Sequence, residues 1–264
     1  MVYDWKRNLF ERAKGVNSFL DIRKLETQID EAIVEADKST YFSKKTSFAP
    51  SSLGYSGSCS RYQYLAFNGA EFQKGSDALG LFAMKFGTRF GDDVEKLLLA
   101  AGVASERQTE VINESPPIKG YTDFLGEIDG ETYVADFKTC GDEKYSKILE
   151  SGVPPKDNLL QILLYMKILK LRTGILIYVN RNTGKMTVVP VTVSERHKEF
   201  LEYVFNWMIE VKEWSEGEVI PSRSYPKSNF ICKGCAVRAT CDSIENVKKI
   251  GPGKLIIDID KFDA

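Results

Sequence analysis

Tyr133-Val134-Ala135-Asp136-Phe137-Lys138-Thr139 is the stretch on which the fold turns. Its β-branched, aromatic and small residues read as a strand. The two-residue period of a strand puts Asp136 and Lys138 on one face and Phe137 on the other. A carboxylate and an ammonium on an otherwise apolar strand are costly to bury without a purpose. Upstream, Asp123 closes the segment Gly120-Tyr121-Thr122-Asp123, and Asp129-Gly130 between the two aspartates is a turn signal. A hairpin turning there brings Asp123 and Asp136 to the same end of a sheet. Carboxylates side by side repel each other and favour a bound cation, and oxygen-only ligands suit Mg²⁺ or Mn²⁺. The neighbouring lysine is placed to orient a water and to meet charge developing on a phosphate. Those parts serve metal-assisted phosphodiester hydrolysis. Against this, Asp-x-Lys is short and frequent, and alone it reads as an exposed edge with solvated charges.

Working outward, period-2 patterning covers about 106 to 139 in ERQTEVI, KGYTDFLGEI and ETYVADFKT, punctuated by Pro116-Pro117 and Asp129-Gly130. A strongly apolar helix is expected over Asp157–Leu171, then two strands, GILIYVN and KMTVVPVTV, joined by a turn at Asn182 to Gly184, then a helix over 195–215. Before the central strand, one long helix fills Gly75–Gly102, with Phe90, Val94, Leu97, Leu98 and Ala101 on one face. A short helix is expected at about 60–68, a Ser/Gly-rich loop over Ser39–Gly57, and a helix over Leu20–Ala36. The tail carries a possible short strand, KLIIDID. Strands flanked by helices imply one mixed α/β (α+β) core with helical additions at the ends.

Two more polar elements lie in these helices. Gln161 and Tyr165 are four apart and share a face of an otherwise apolar helix; the plain alternative is a satisfied core Gln with a packed Tyr. Glu95 shares a face with Gly91 on the long helix, where a carboxylate can add a ligand or fix a metal-bound water. Taken alone, Glu95 reads as a solvated helix residue.

The 264 residues carry 36 Lys and Arg against 37 Asp and Glu, a formal charge of −1, with 43% hydrophobic and 28% charged residues. That composition excludes a disordered, fibrous or disulfide-dense secreted chain. No apolar run is long enough for a membrane-spanning helix, and Met1–Gly15 lacks the apolar core of a secretory signal. A reducing cytoplasm is therefore expected, where cysteines more often bind metals or catalyse than form bridges. The charge balance by itself gives no hint of a nucleic-acid partner.

Three of the five cysteines, Cys232, Cys235 and Cys241, fall in ICKGCAVRATCDS with the spacing C-x2-C-x5-C. Two thiolates two residues apart, around a small Gly234, can chelate one metal centre. A fourth ligand must come from Cys59 or Cys140. We favour Cys59, in the loop-like SSLGYSGSCSRYQYL, and read Cys140 as a free thiol. Zinc competes with a [4Fe–4S] cluster here, although zinc sites usually arrive as two C-x2-C pairs.

Taken in order, these elements resemble the PD-(D/E)XK nuclease superfamily, and more closely its RecB-type branch with an iron–sulfur cluster. That branch includes the CRISPR-associated exonucleases of the adaptation machinery and the AddB nuclease domain. The similarity runs from about 48 to 242, through Ala49-Pro50-Ser51-Ser52-Leu53, Cys59-Ser60-Arg61-Tyr62, Gly87-Thr88, Glu95, Gly120 to Asp123, Asp136-Phe137-Lys138-Thr139, Gln161 to Tyr165 and the cysteine triplet. Each motif is weak alone, and their order and spacing carry the resemblance.

The resemblance implies a restriction-endonuclease-like core with a mixed sheet flanked by helices, over 49–220. A helical N-terminal extension (1–48) would precede it, and a C-terminal iron–sulfur segment and tail (221–264) would follow. It implies Asp123 and Asp136 as metal-binding carboxylates for Mg²⁺ or Mn²⁺, with Glu95 and the Phe137 carbonyl as further ligands. Lys138 would be the catalytic lysine, and Gln161 and Tyr165 would position the lysine and the DNA strand. Cys59, Cys232, Cys235 and Cys241 would hold a structural [4Fe–4S] cluster. The implied activity is a DNA exonuclease on single strands or ends, in CRISPR adaptation, recombinational repair or a bacteriophage. No Walker-type G-x-x-x-x-G-K-[ST] is present, so unwinding would come from a helicase or recombinase partner.

The usual G-T-x-x-H-x-x-x-E pattern reads here as Gly87-Thr88-Arg89-Phe90-Gly91, then Glu95. Gly91 stands at the histidine position, neighbouring Asp92 would point about 100° away on a helix, and His197 is no substitute. The change points to altered metal preference, weakened activity or a nuclease repurposed to bind DNA. Lys144, Lys147, Lys167 and Arg172 are candidate backbone contacts. Arg61, Tyr62 and Tyr64 are candidates for meeting a single strand. A structural zinc protein without a nucleic-acid role is the remaining class.

Overall fold

A computed structural model describes residues 22–36, 44–72, 78–244 and 250–262. Leu20, and the start of the Ser39–Gly57 loop, lie outside the described residues. Two compact units are separable, 1–39 with 76–83 and 40–75 with 84–264. The first contains helix α1 (Ile22–Ala36). The chain then runs through a 3₁₀ turn, Pro50–Ser52, to α2 (Ser60–Phe67), and α3 follows over Ala78–Ala100.

Five strands of the second unit form a mixed sheet. Strand β1 (Ala104–Arg107), β4 (Phe124–Ile128), β5 (Glu131–Cys140), β6 (Thr173–Asn180) and β7 (Met186–Thr192) lie side by side in that order. Every pairing is antiparallel except β5 with β6. Between β1 and β4 the chain leaves the sheet to build a separate ribbon, β2 (Glu110–Asn113) on β3 (Ile118–Tyr121).

The β4–β5 hairpin turns where the sequence places it. Asp129 and Gly130 take φ of 53° and 79°, the left-handed pair that matches a two-residue hairpin to the strand twist. This fixes the register Phe124↔Ala135. A parallel β5–β6 pair needs a crossover connection, supplied by α4 (Asp142–Ser151) and α5 (Lys156–Leu169). Sequence periodicity missed α4. Its ten residues, DEKYSKILES, bury only Tyr145 and Ile148, too few for a visible apolar stripe. Helix α5 lies so close on β6 that a Cβ at Gly174 would come within 2.6 Å of Met166 Sδ.

The sheet is central, so Tyr133 to Phe137 are all buried, and Asp136 sits within a near-continuous apolar run. The main core joins Val134, Leu176 and Tyr178 of the sheet to Leu160 and Ile162–Met166 of α5. It also takes in Phe200, Val204 and Met208 of α6 (Glu195–Ser215). Helix α6 opens with a capping box. Ser194 Oγ accepts from the His197 backbone N–H at 3.2 Å, and His197 Nδ1 accepts from the Ser194 N–H at 3.2 Å. The lone histidine is thus a helix cap.

The tail does not form the strand expected for KLIIDID. Residues 252–258 are irregular, and their amides are bound one at a time, Leu255 N–H by Ser58 O at 2.9 Å and Ile256 N–H by Tyr203 Oη at 2.9 Å. Alternation therefore reflects a segment laid across the core with no strand edge beside it.

Candidate active site

Strand β5 delivers its polar side chains to the sheet's interior face. Asp136 is 1% exposed. Its Oδ1 accepts from Gln161 Nε2 at 2.9 Å, and its Oδ2 lies 2.6 Å from Lys138 Nζ. Lys138 is thus the partner of that buried oxygen. Across the hairpin, the Asp123 carboxylate accepts the Phe137 backbone N–H. The register therefore sets Asp123 against Asp136, as the two-residue period and the turn signal predict.

Gln161 Nε2 also reaches Tyr165 Oη at 3.2 Å, so the i, i+4 pair on α5 becomes a chain from Tyr165 to Asp136. Tyr165 is buried against Gly120, where a Cβ would come within 3.1 Å of its ring. Glycine at 120 lets the β3 backbone pass this close. Burial, reinforced by the charges of Asp136 and Asp123, pushes the Tyr165 hydroxyl well above the usual phenol range, so it stays protonated.

Glu95 is only 3% exposed, which corrects the solvated reading it receives in isolation. Its Oε2 takes Arg107 Nη2 at 3.0 Å and Gln108 Nε2 at 2.8 Å. Arg107 in turn grips Asp92, which also pairs with Lys96. Arg107 and Gln108 are the parts that sequence reading did not assign. They meet Glu95 because α3 runs beside the end of β1, and no spacing motif announces that contact; Asp92 joins only through Arg107.

The three carboxylates feel one another. Burial first, then the like charge of Asp136, raise the Asp123 carboxyl from 3.8 to about 7, against the Phe137 N–H and Lys138; Glu95 adds to the rise. Burial also raises Asp136, with Lys138 opposing. Among the described residues no group of three or more His, Cys, Asp or Glu side chains closes into a ready-made metal cage. Lys138 and Arg107 balance the carboxylates instead. Asp123 and Asp136, crowded and reluctantly ionised, suit a divalent cation.

Gly91 is buried, and a Cβ there would be in ordinary van der Waals contact with Glu95 Oε1 at 3.9 Å and Phe137 Cδ1 at 4.0 Å.

The cysteines gather elsewhere. Cys59, Cys232, Cys235 and Cys241 line one cavity with Tyr62 and Arg223, while Cys140, buried at the end of β5, does not. Burial first, then repulsion from Cys59 and Cys241, raises the Cys232 thiol; burial also lifts Cys235 to about 11. The flanking segments are stitched together. Ser58 Oγ meets Tyr225 Oη at 2.7 Å, Ser60 Oγ donates to Pro252 O at 2.6 Å, and Arg61 Nε donates to Pro221 O at 2.6 Å. The four thiols line one cavity but, like the carboxylates, do not close into a metal cage among the described residues.

This stitching overturns the nucleic-acid role expected for Arg61, Tyr62 and Tyr64. Arg61 is 2% exposed with its guanidinium on a backbone carbonyl, Tyr64 donates to Gly217 O, and Tyr62 packs on Phe72. Of the basic residues singled out, Lys147 pairs with Glu143 and Lys167 with Glu202, while Lys144 and Arg172 are exposed.

A five-stranded mixed sheet flanked by helices carries Asp136 and Lys138 on its central strand, with Asp123 beside them, in a mixed α/β core. The chain belongs to the PD-(D/E)XK nuclease superfamily, whose sequence model matches residues 63–242. That span takes in every carboxylate described above and Cys232, Cys235 and Cys241, and begins just after Cys59. No curated protein matches the chain by sequence. Among solved structures, SSO0001 is 15% identical over 83% of this chain and 96% of its own, with a TM-score of 0.48. The alkaline exonuclease LHK-Exo from Laribacter hongkongensis is 10% identical over 70% of this chain and 94% of its own, with a TM-score of 0.49. Its complex with dAMP aligns at 13% identity over 55% and 73%, with a TM-score of 0.44.

Proposed function

We propose that this protein is a divalent-metal-dependent DNA nuclease, an exonuclease acting on single-stranded DNA or DNA ends. The observation that carries the reading is the juxtaposition of Asp123 and Asp136 across the β4–β5 hairpin, with Lys138 against Asp136 and Glu95 close enough to perturb both. Asp123, Asp136, Glu95 and the Phe137 carbonyl are the groups that would hold Mg²⁺ or Mn²⁺. When bound, the cation supplies positive charge to the scissile phosphate and activates water. Lys138 orients that water and faces the charge that develops on the phosphate. Gln161 holds Asp136 in place, and Tyr165, kept protonated by burial, anchors Gln161. The preference for ends and single strands rests on the ordered resemblance to the RecB-type branch. With Mn²⁺, the purified protein should degrade 5′- and 3′-labelled DNA and Asp136→Ala should not; equal activity in the two would sink the assignment.

Cys59, Cys232, Cys235 and Cys241 would hold a structural [4Fe–4S] cluster, supported by the convergence of all four on one cavity. Protein purified without oxygen should be brown and contain iron. A colourless, zinc-loaded sample would favour zinc. Gly91, standing where the resemblance expects a histidine, favours a second reading, a nuclease-like subunit that holds DNA for a helicase, recombinase or CRISPR-adaptation partner. Binding without cleavage across several divalent metals would identify it.

A further inference from the structure

Gln108 is a residue out of its usual backbone territory. Its φ is 53°, in the left-handed region where a Cβ is unfavourable and glycine or asparagine is the ordinary choice. The position marks a kink. Arg107 is the last residue of β1 and pairs with Phe124 in the large sheet, while Glu110 pairs with Tyr121 in the small ribbon. The ladder continues through the kink, with Gln108 N–H on Asp123 O at 3.0 Å and Thr122 N–H on Thr109 O at 3.0 Å. A glycine would serve that turn with less strain. The glutamine adds a side chain whose Nε2 reaches Glu95 Oε2 at 2.8 Å. One residue therefore binds the backbone of Asp123 and the side chain of Glu95, two carboxylates that come from different elements. The buried hydroxyls of Thr109 and Thr122 flank the same kink without a hydrogen-bond partner, as does the Nε of Arg107. Unfilled buried polar atoms and a left-handed non-glycine residue at one point are the mark of strain kept for function.

We propose that Gln108 is a positioning residue that fixes the spacing of Glu95 and Asp123 and selects which Glu95 oxygen works. Both donors to Glu95, Arg107 and Gln108, fall on Oε2. That leaves Oε1 as the atom offered to the divalent cation. The inference rests on the metal-dependent reading of the site. Gln108 itself is exposed, so its replacement removes no core packing.

The test opposes stability to function. In Gln108→Gly the backbone strain is relieved, so the metal-free melting temperature should stay level or rise. Mn²⁺ affinity, measured by calorimetry, should weaken on the order of tenfold, the effect of losing one hydrogen bond to a charged group. Cleavage should lose kcat with KM for DNA little changed. Gln108→Asn, which tolerates the left-handed backbone but is one methylene short of Glu95, should show the same loss and serves if the glycine variant folds poorly. Wild-type Mn²⁺ affinity in both variants would make Gln108 a turn residue only and overturn the proposal, as would a wild-type protein that binds no Mn²⁺. If the wild type binds Mn²⁺ but cuts no DNA, the nuclease reading fails. The affinity comparison still decides Gln108.

Discussion

The carboxylate site takes its groups from residues 95 to 165, and hairpin register and helix packing bring them together. The cysteine cavity takes Cys59 from one end of the second unit and three cysteines from beyond residue 230. Its flanks are joined by hydrogen bonds such as those of Ser58, Ser60 and Arg61, which span 160 to 192 residues, and by packing of Tyr64 and Leu65 on Val237. Strand register and helix packing position most of the first donor set. The second sits on short helical turns far apart in the chain, Cys232 in Phe230–Lys233 and Cys241 in Arg238–Ser243, with Cys59 at the start of α2. One region is therefore built for chemistry at fixed distances, and the other for closing the chain on itself.

The sharpest way to break this comparison is to change one region and read both. Asp136→Ala should reduce Mn²⁺-dependent DNA cleavage on the order of a thousandfold, with iron content and visible absorption unchanged. A parallel loss of iron would mean the two regions are not independent. Cys232→Ser should do the reverse. Losing the bridge should cost several kcal/mol, and at about 2–4 °C per kcal/mol the melting temperature should fall by about 10 °C. Cleavage measured well below that temperature should persist, and limited proteolysis should open sites near 221–244.

A smaller effect lies in pH. The Asp123 carboxyl stands at about 7 rather than 3.8, so the folded protein holds that proton more tightly than the unfolded chain. Its contribution to metal-free stability is full below about 3.8 and lost as pH rises through about 7. Mn²⁺ binding must displace the proton, so affinity should climb through the same window. Melting curves from pH 5 to 8 should show the slope, and Asp123→Asn should flatten it.

The smallest effect is expected at Gly91. Gly91→Ala places its Cβ 3.9 Å from Glu95 Oε1 and 4.0 Å from Phe137 Cδ1, ordinary contact distances, so the variant should fold with melting temperature close to wild type. A shift in Mg²⁺ against Mn²⁺ preference would tie that position to the metal. A large drop in melting temperature would show that the position does not accept a side chain.

How much of this was legible depended on whether a contact follows chain periodicity. Asp136 and Lys138 share a face by the two-residue period, and Asp129-Gly130 announces the turn that brings Asp123 to them. Gln161 and Tyr165 were readable from helical spacing, and the cysteine triplet from its own. Arg107 and Gln108 were not, because their hold on Glu95 depends on where α3 lies against β1. Arg61 misled because a guanidinium beside tyrosines reads as a surface, whereas here it satisfies a carbonyl in a buried seam. The tail misled because alternation says nothing about whether a free strand edge lies nearby.

Strand β5 is antiparallel to one neighbour and parallel to the other, so both its edges are locked in register. A slip by one residue would send Phe137 to the place of Asp136 and a charge into the apolar layer. For a lineage carrying this fold, Glu131–Lys138 is therefore a stretch where substitutions can be sampled but insertions and deletions cannot. Changes in chain length must be absorbed elsewhere, in connections such as 141–156 that no second strand edge holds.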